Sequence, residues 1–357
     1  SHMDRKYAKL FATGAALALA TTAFGTAAVA QDEEMSDKPM YKIGVTNTLV
    51  GNGWREEMIC SIKAEALASG RVDELVIAHR NTDAAGQLGD IRDLIEADVD
   101  AILINPVDPD SPLPAVEEAI AAGIPVIAID MGVNSEDAYL FANSHEEYGY
   151  MGAKWLFEQL GGEGAVVYMR GISGALADTL RDQGVQRAKA EYPGIEFVSE
   201  TFTGWDQPTG VQQINDYFAT FGPLDGVWTS GIDNVIVTAF ETAGVPFVPI
   251  VGADNAEFAE FLVTKEGLVG SAVTNSAAVG GAGVTLAAQI LDGEWDESQK
   301  EVILDPILWD NTTEEGRETI TAALDPDLNP LFPLTYQLPP WTTYTRDEFL
   351  ACKGPGE

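Results

Sequence analysis

The side chains best suited to hold a polar ligand fall in short clusters at 46–54, 105–108, 130–131, 143–144, 170–178, 203–206, 230–234, 254–255 and 274–276. Asp, Asn, Ser and Thr dominate them, and Trp54 and Trp205 stand among them. Each type doubles as a helix N-cap or turn former, so no single cluster argues for a site. The set does, because carboxylates accept hydrogen bonds from adjacent hydroxyls while Asn and Arg donate to hydroxyl or ring oxygens. A flat indole also covers the apolar C–H face of a sugar. An acidic ligand would need more cationic groups than Arg55 and Arg170 supply. Trp54 follows a Gly-Asn-Gly turn and reads either as a core aromatic or as such a wall.

Groups for covalent or metal chemistry are sparse. Of three histidines, His2 sits in what looks like a tag remnant, and His79 and His145 are isolated. There is no HExxH, no Cys/His metal cluster, no phosphate loop ending in Gly-Lys and no G-x-S-x-G elbow. RGISGALAD has the wrong spacing for an elbow. VGGAGVTLA follows Asn-Ser rather than a clean strand and lacks an acid at the end of the next strand, so its small residues suit close helix packing better than a dinucleotide. Paired aspartates could serve glycoside hydrolysis, but nothing singles out a pair. The expectation is a binding protein rather than an enzyme, with no cofactor and no metal.

These clusters need elements to position them. From Lys42 the chain alternates apolar, β-rich runs with amphipathic helices. Strands are expected at 42–46, 74–78, 100–104, 125–129 and 139–142, then at 165–169, 196–200, 225–229, 247–251 and 268–273. Helices are expected to fill the intervals, for example at 54–69, 86–97, 112–122, 148–160, 178–192, 209–221 and 233–243. Apolar strands separated by helices predict an α/β fold with parallel sheets covered on both faces. In such sheets ligands lie beyond the carboxyl ends of the strands, where the polar clusters fall. A faint repeat links 100–132 with 225–254, each with a Gly-capped helix, a Pro-led strand and a closing aspartate, Asp130 or Asp254.

The length suits two lobes of roughly 130 residues, and 46% apolar residues supply two cores. With 20 Lys+Arg against 56 Asp+Glu, the chain carries −36 and repels nucleic acid and anionic lipid. Basic Arg5, Lys6 and Lys9, an apolar stretch over 10–24 and Ala28-Val29-Ala30 before Gln31 read as an export signal, with residues 1–2 a tag scar. No other segment is apolar enough to span a membrane. Cleavage would take the charge to −38, and without a Cys there no lipid anchor is indicated. Cys60 and Cys352 are the two cysteines, and export with an even count favours a bond between them, although spacing alone leaves two free thiols open. Past Asp310 the composition turns Pro-rich and aromatic, which reads as an extended tail packed over a lobe.

The Trp54 loop, AILINPVDPDS, GIPVIAID, RGISG…RDQG and PIVGADN followed by VTN occur in an order that resembles the type I periplasmic solute-binding proteins of the ribose-binding type, over about 42–310. The resemblance implies two Rossmann-like lobes joined by a three-crossover hinge near 142–145, 273–277 and 303–308. The lobes would be 40–143 plus 276–304 and 144–275 plus 305–310, with 311–357 as a tail. It also implies a periplasmic monomer that captures a monosaccharide or polyol between the lobes, closes, and hands it to an ABC permease in the inner membrane. An autoinducer-2-like furanosyl diol or a chemoreceptor role is the alternative. The implied ligand set is Asn52, Trp54, Arg55, Asn105, Asp130, Asn143, Arg170, Asp178, Trp205, Asp233, Asp254 and Asn275. Two departures stand out: Met131 where ribose binders carry Arg after the Asp130-like acid, and Asp178-Thr179 where they carry another Arg.

Overall fold

The order of strands in space explains how distant polar clusters meet. The computed structural model describes residues 37–357, and the export-signal features at 1–30 lie outside them. Residues 40–357 pack as one unit. The strands are Tyr41–Asn47 (β1), Val72–His79 (β2), Ala101–Ile104 (β3), Val126–Ile129 (β4), Tyr139–Asn143 (β5), Glu163–Arg170 (β6), Gly194–Phe202 (β7), Gly226–Trp228 (β8), Ile250–Ala253 (β9), Gly270–Val273 (β10), Glu301–Leu304 (β11) and Leu308–Asp310 (β12). One sheet runs β11-β5-β4-β3-β1-β2 and the other β12-β10-β9-β8-β6-β7.

All neighbours in the first sheet are parallel. The central strands β3 and β4, AILI and VIAI, are buried at every residue, as strands covered on both faces must be. β2 lies at the edge and keeps exposed Asp73 and Glu74, which blunt further pairing. The second sheet is parallel except for β12, which runs antiparallel to β10. Sequence reading omitted β11 and β12 because they are short, half-exposed edge strands, in which burial writes no apolar run. It also began β9 at 247 rather than 250, across Pro249, whose ring cannot donate to a ladder.

The helices are Gly53–Ser69 (α1), Ala84–Glu96 (α2), Leu113–Ala121 (α3), His145–Gln159 (α4), Leu176–Glu191 (α5), Gln207–Ala219 (α6), Asp233–Ala243 (α7), Ala256–Thr264 (α8), Val279–Leu291 (α9), Glu314–Ala323 (α10) and Arg346–Ala351 (α11). Helix α9 holds the VGGAGVTLA segment and packs on α1 and the first sheet. A Cβ on Gly283 would stand 2.3 Å from Ile129, and one on Gly280 2.8 Å from the Met58 carbonyl, so small residues are what that approach requires. None of these helices is long and apolar enough to cross a membrane.

The chain passes between the sheets after β5, after β10 and between β11 and β12. Beyond β12 the tail is only partly extended, since it contains α10 and α11. It ends against α1, where Cys352 is bonded to Cys60. Thr345 caps α11 with a reciprocal Glu348 contact, and Glu65 of α1 accepts from the Thr343 and Tyr344 amides.

Candidate functional site

The carboxyl ends of β1 and β4 in one sheet and of β8 and β9 in the other face a common cleft. Asn52 begins the near wall. Its Oδ1 caps α1 by accepting from the Arg55 amide at 3.1 Å, and its Nδ2 reaches across the cleft to the Trp205 carbonyl at 3.3 Å. Capping and site-facing roles therefore coincide in one side chain. Trp54 lies one residue into the helix, packs on the first core and also lines the cleft. Its Nε1 donates to the Asn275 carbonyl at 2.8 Å, which fixes the indole plane.

Arg55 is buried and donates to Asn47 Oδ1 at 2.6 Å. Burial lowers its pKa from the usual arginine value, and the nearby Asp130 carboxylate works against that. Asp130 ends β4 with φ 70°, a left-handed backbone that a non-glycine residue adopts at some cost and that concentrates at functional sites. Burial would raise its pKa, but His145, 3.0 Å from its Oδ1, together with Arg55 and Arg181, holds it below the ordinary value.

The far wall comes from the second lobe. Trp205 also has a left-handed backbone, φ 53°, and its Nε1 lies 3.3 Å from Ser230 Oγ. Gly171 lets the indole lie close, because a Cβ there would come within 2.2 Å of it. Met131 packs in the small apolar cluster against the same indole. Arg181 of α5 donates to Ser230 Oγ at 2.7 Å, sits 4.2 Å above the centre of the Tyr148 ring, and faces the Asn275 amide oxygen at 3.0 Å when that amide is oriented to satisfy its neighbours. Asp254, after β9, is fully buried; its Oδ1 accepts from the Asn275 amide at 3.1 Å and its Oδ2 from Thr335 Oγ1 at 2.7 Å. Burial raises its pKa, and those hydrogen bonds oppose the rise.

Of the twelve residues expected from the sequence, Asn52, Trp54, Arg55, Asp130, Trp205, Asp254 and Asn275 line the cleft. The other five stand outside its lining. Asn105 turns its Nδ2 toward Met58 sulfur at 3.6 Å. Asn143 donates to the Ser276 carbonyl at 3.1 Å and so supports the lining from behind. Arg170 and Asp178 pair with each other at 2.7 Å, and Asp178 also accepts from the Gly171 amide. Asp233 accepts from Thr229, Gly231, Ala253 and Asn255, tying the ends of β8 and β9 together. Burial nevertheless pushes its carboxyl up to about 6.

Sequence reasoning stopped one turn short on α5. It found Asp178-Thr179 where an arginine was sought, whereas Arg181, on the buried face of the same helix, reaches the cleft. A charged residue at a buried helical position was the available signal. Tyr148, Leu331 and Pro333 were also missed as lining residues, and only the fold brings the last two there. Among the described residues no group of three or more His, Cys, Asp or Glu is placed to hold a metal ion.

The ionisable lining is balanced: Arg55 and Arg181 face Asp130 and Asp254. A net anion or cation would leave buried charge uncompensated on one side, whereas a neutral ligand rich in hydroxyls satisfies both kinds of group.

The sequence profile of the periplasmic binding protein domain matches residues 43–294. A xylitol-binding protein of Mycolicibacterium smegmatis is 27% identical over 334 residues, covering 91% of this chain and 93% of that protein. A ribose import binding protein of Bacillus subtilis is 27% identical over 223 residues, covering 58% and 72%. Among solved structures, an ABC transporter solute binding protein from Thermobispora bispora superposes with a TM-score of 0.73 at 25% identity, covering 87% of this chain and 93% of that one.

Proposed function

The chain belongs to the periplasmic binding protein domain family, and from that membership we propose that it captures a monosaccharide or polyol for an ABC importer. The observation that carries the reading is the balanced lining of two carboxylates, two guanidiniums and amide groups, flanked by Trp54 and Trp205. The relatives named for xylitol and ribose support the same ligand class. As in its family, the chain binds its ligand and does not transform it.

Each half of the site supplies a carboxylate, a guanidinium and an indole. A carboxylate has about four lone-pair positions, so Asp254 keeps acceptor capacity beyond its bonds to Asn275 and Thr335 and takes a ligand hydroxyl. Asp130 does the same from the opposite lobe. Arg55 and Arg181 donate to ligand oxygens, each such charged bond being worth about 1.5–3 kcal/mol net. The two indoles cover the C–H faces. Ligand contacts on both lobes favour the closed arrangement, and closure about the three chain crossings creates the surface that a permease reads. The protein acts in the periplasm, as a monomer.

A thermal-shift screen of the mature chain against pentoses, hexoses and polyols tests this. At about a thousandfold excess over Kd, binding adds roughly 4 kcal/mol of stability, an easily seen shift. The ligand should be recovered chemically unchanged after long incubation. A panel that shifts nothing would overturn the proposal.

A further inference from the structure

The tail beyond β12 does more than cover a core. Residues 330–334 run antiparallel to residues 254–257 at the start of α8. Glu257 N donates to the Pro330 carbonyl at 2.9 Å, Ala256 N to the Phe332 carbonyl at 2.8 Å, and Leu334 N to the Asp254 carbonyl at 2.9 Å. An isolated bridge joins Asn255 and Pro333. An extended segment sends alternate side chains to opposite sides. Phe332 and Leu334 accordingly pack into the second lobe's core, while Leu331 and Pro333 line the cleft. Thr335, next on the cleft side, holds Asp254 Oδ2 at 2.7 Å.

The segment also touches the first lobe. A Cβ on Gly53 would stand 2.1 Å from the Leu331 carbonyl oxygen, so that glycine admits the tail to the mouth of α1, beside Trp54. Thr335 accepts from Ser276 Oγ at the second chain crossing. Farther on, the Glu65 contacts and the Cys60–Cys352 bond tie the tail down on α1. The segment is thus anchored on both sides of the cleft.

We propose that residues 331–335 form a third wall of the ligand site that sets which ligand size is accepted. The inference rests on the reading of the cleft as a sugar or polyol site. Leu331 and Pro333 offer no hydrogen-bonding side-chain group, so a hydroxymethyl group extended toward them loses its water without a replacement partner. The wall admits the C–H surface of a compact ligand and selects against a longer one. Thr335 fixes the carboxylate that reads the adjacent hydroxyls.

Calorimetry of the mature, disulfide-intact chain with alditols of four, five and six carbons and the matching aldoses tests this. Leu331→Ala should shift the ratio of six-carbon to shorter-chain affinity toward the longer ligand by about tenfold or more, the scale on which pockets discriminate single carbon groups. Leu331→Phe should shift it the other way. Phe332→Leu, on the core side, should lower the melting temperature and leave the ratio unchanged. Ratios unchanged in both Leu331 variants, or all affinities moving by one common factor, overturn the wall while leaving the cleft reading intact. A wild-type chain that binds no member of the series overturns both.

Discussion

Arg181 is held by Ser230 Oγ at 2.7 Å and by the Tyr148 ring face, so its guanidinium is oriented before any ligand arrives. Arg181→Ala should weaken binding at least about tenfold by calorimetry, because it removes a cation near Asp130 and leaves the Asn275 oxygen short of a donor; unchanged affinity would remove Arg181 from the site. Another buried charge lies behind the lining. Glu57 is fully buried with neither carboxylate oxygen hydrogen-bonded, and burial, then the proximity of Asp254, raises its pKa well above 4.5. Tyr336 and Tyr344 of the tail face it as well. A group whose pKa is raised on folding contributes stability that is fully present below its unfolded value, near 4.5, and is lost as pH rises through the folded value. Glu57→Gln removes that loss, so the melting temperature of the variant relative to wild type should climb from pH 4 to pH 8. A constant difference across that range would contradict it. At this scale residue type alone was a partial guide. Arg170 and Asp178 have the composition of ligand groups and spend it on each other, and composition cannot distinguish pairing from readiness.

The central strands were legible as elements because burial on both faces leaves an unbroken apolar run, as in AILI and VIAI. The edge strands β11 and β12 were not legible, because half-exposure mixes their composition. The tail's path over the cleft was not legible at all. It depends on pairing between residues some eighty positions apart, a contact made by the fold rather than by local propensity. The covalent tie at the tail's end should carry measurable stability. Closing so long a loop restricts the unfolded chain by about 3–5 kcal/mol. The Cys60→Ser, Cys352→Ser double variant should therefore melt roughly 5–10 °C lower. Equal melting temperatures would show that the tail needs no tie.

The whole molecule joins two mostly parallel sheets, three chain crossings and a cleft whose opposing walls carry matched charges. The two-lobed α/β organisation followed from the alternation of strands and helices and from the Asp130 and Asp254 repeat, while the cleft's lining had to be read from side-chain directions. Ligand contacts shared between lobes predict a smaller radius of gyration in solution scattering when a bound sugar or polyol is present; identical profiles would speak against closure. The central claim, that the balanced cleft is the site for a neutral polyhydroxyl ligand, meets its most direct test in one calorimetric comparison. The mature chain is titrated with the pentose, hexose and polyol panel beside Asp254→Asn and Trp205→Ala. The account predicts saturable one-to-one binding of at least one member by wild type, weakened about tenfold or more in each variant. Wild-type protein that binds none of them, or variants that bind as tightly as wild type, would contradict it.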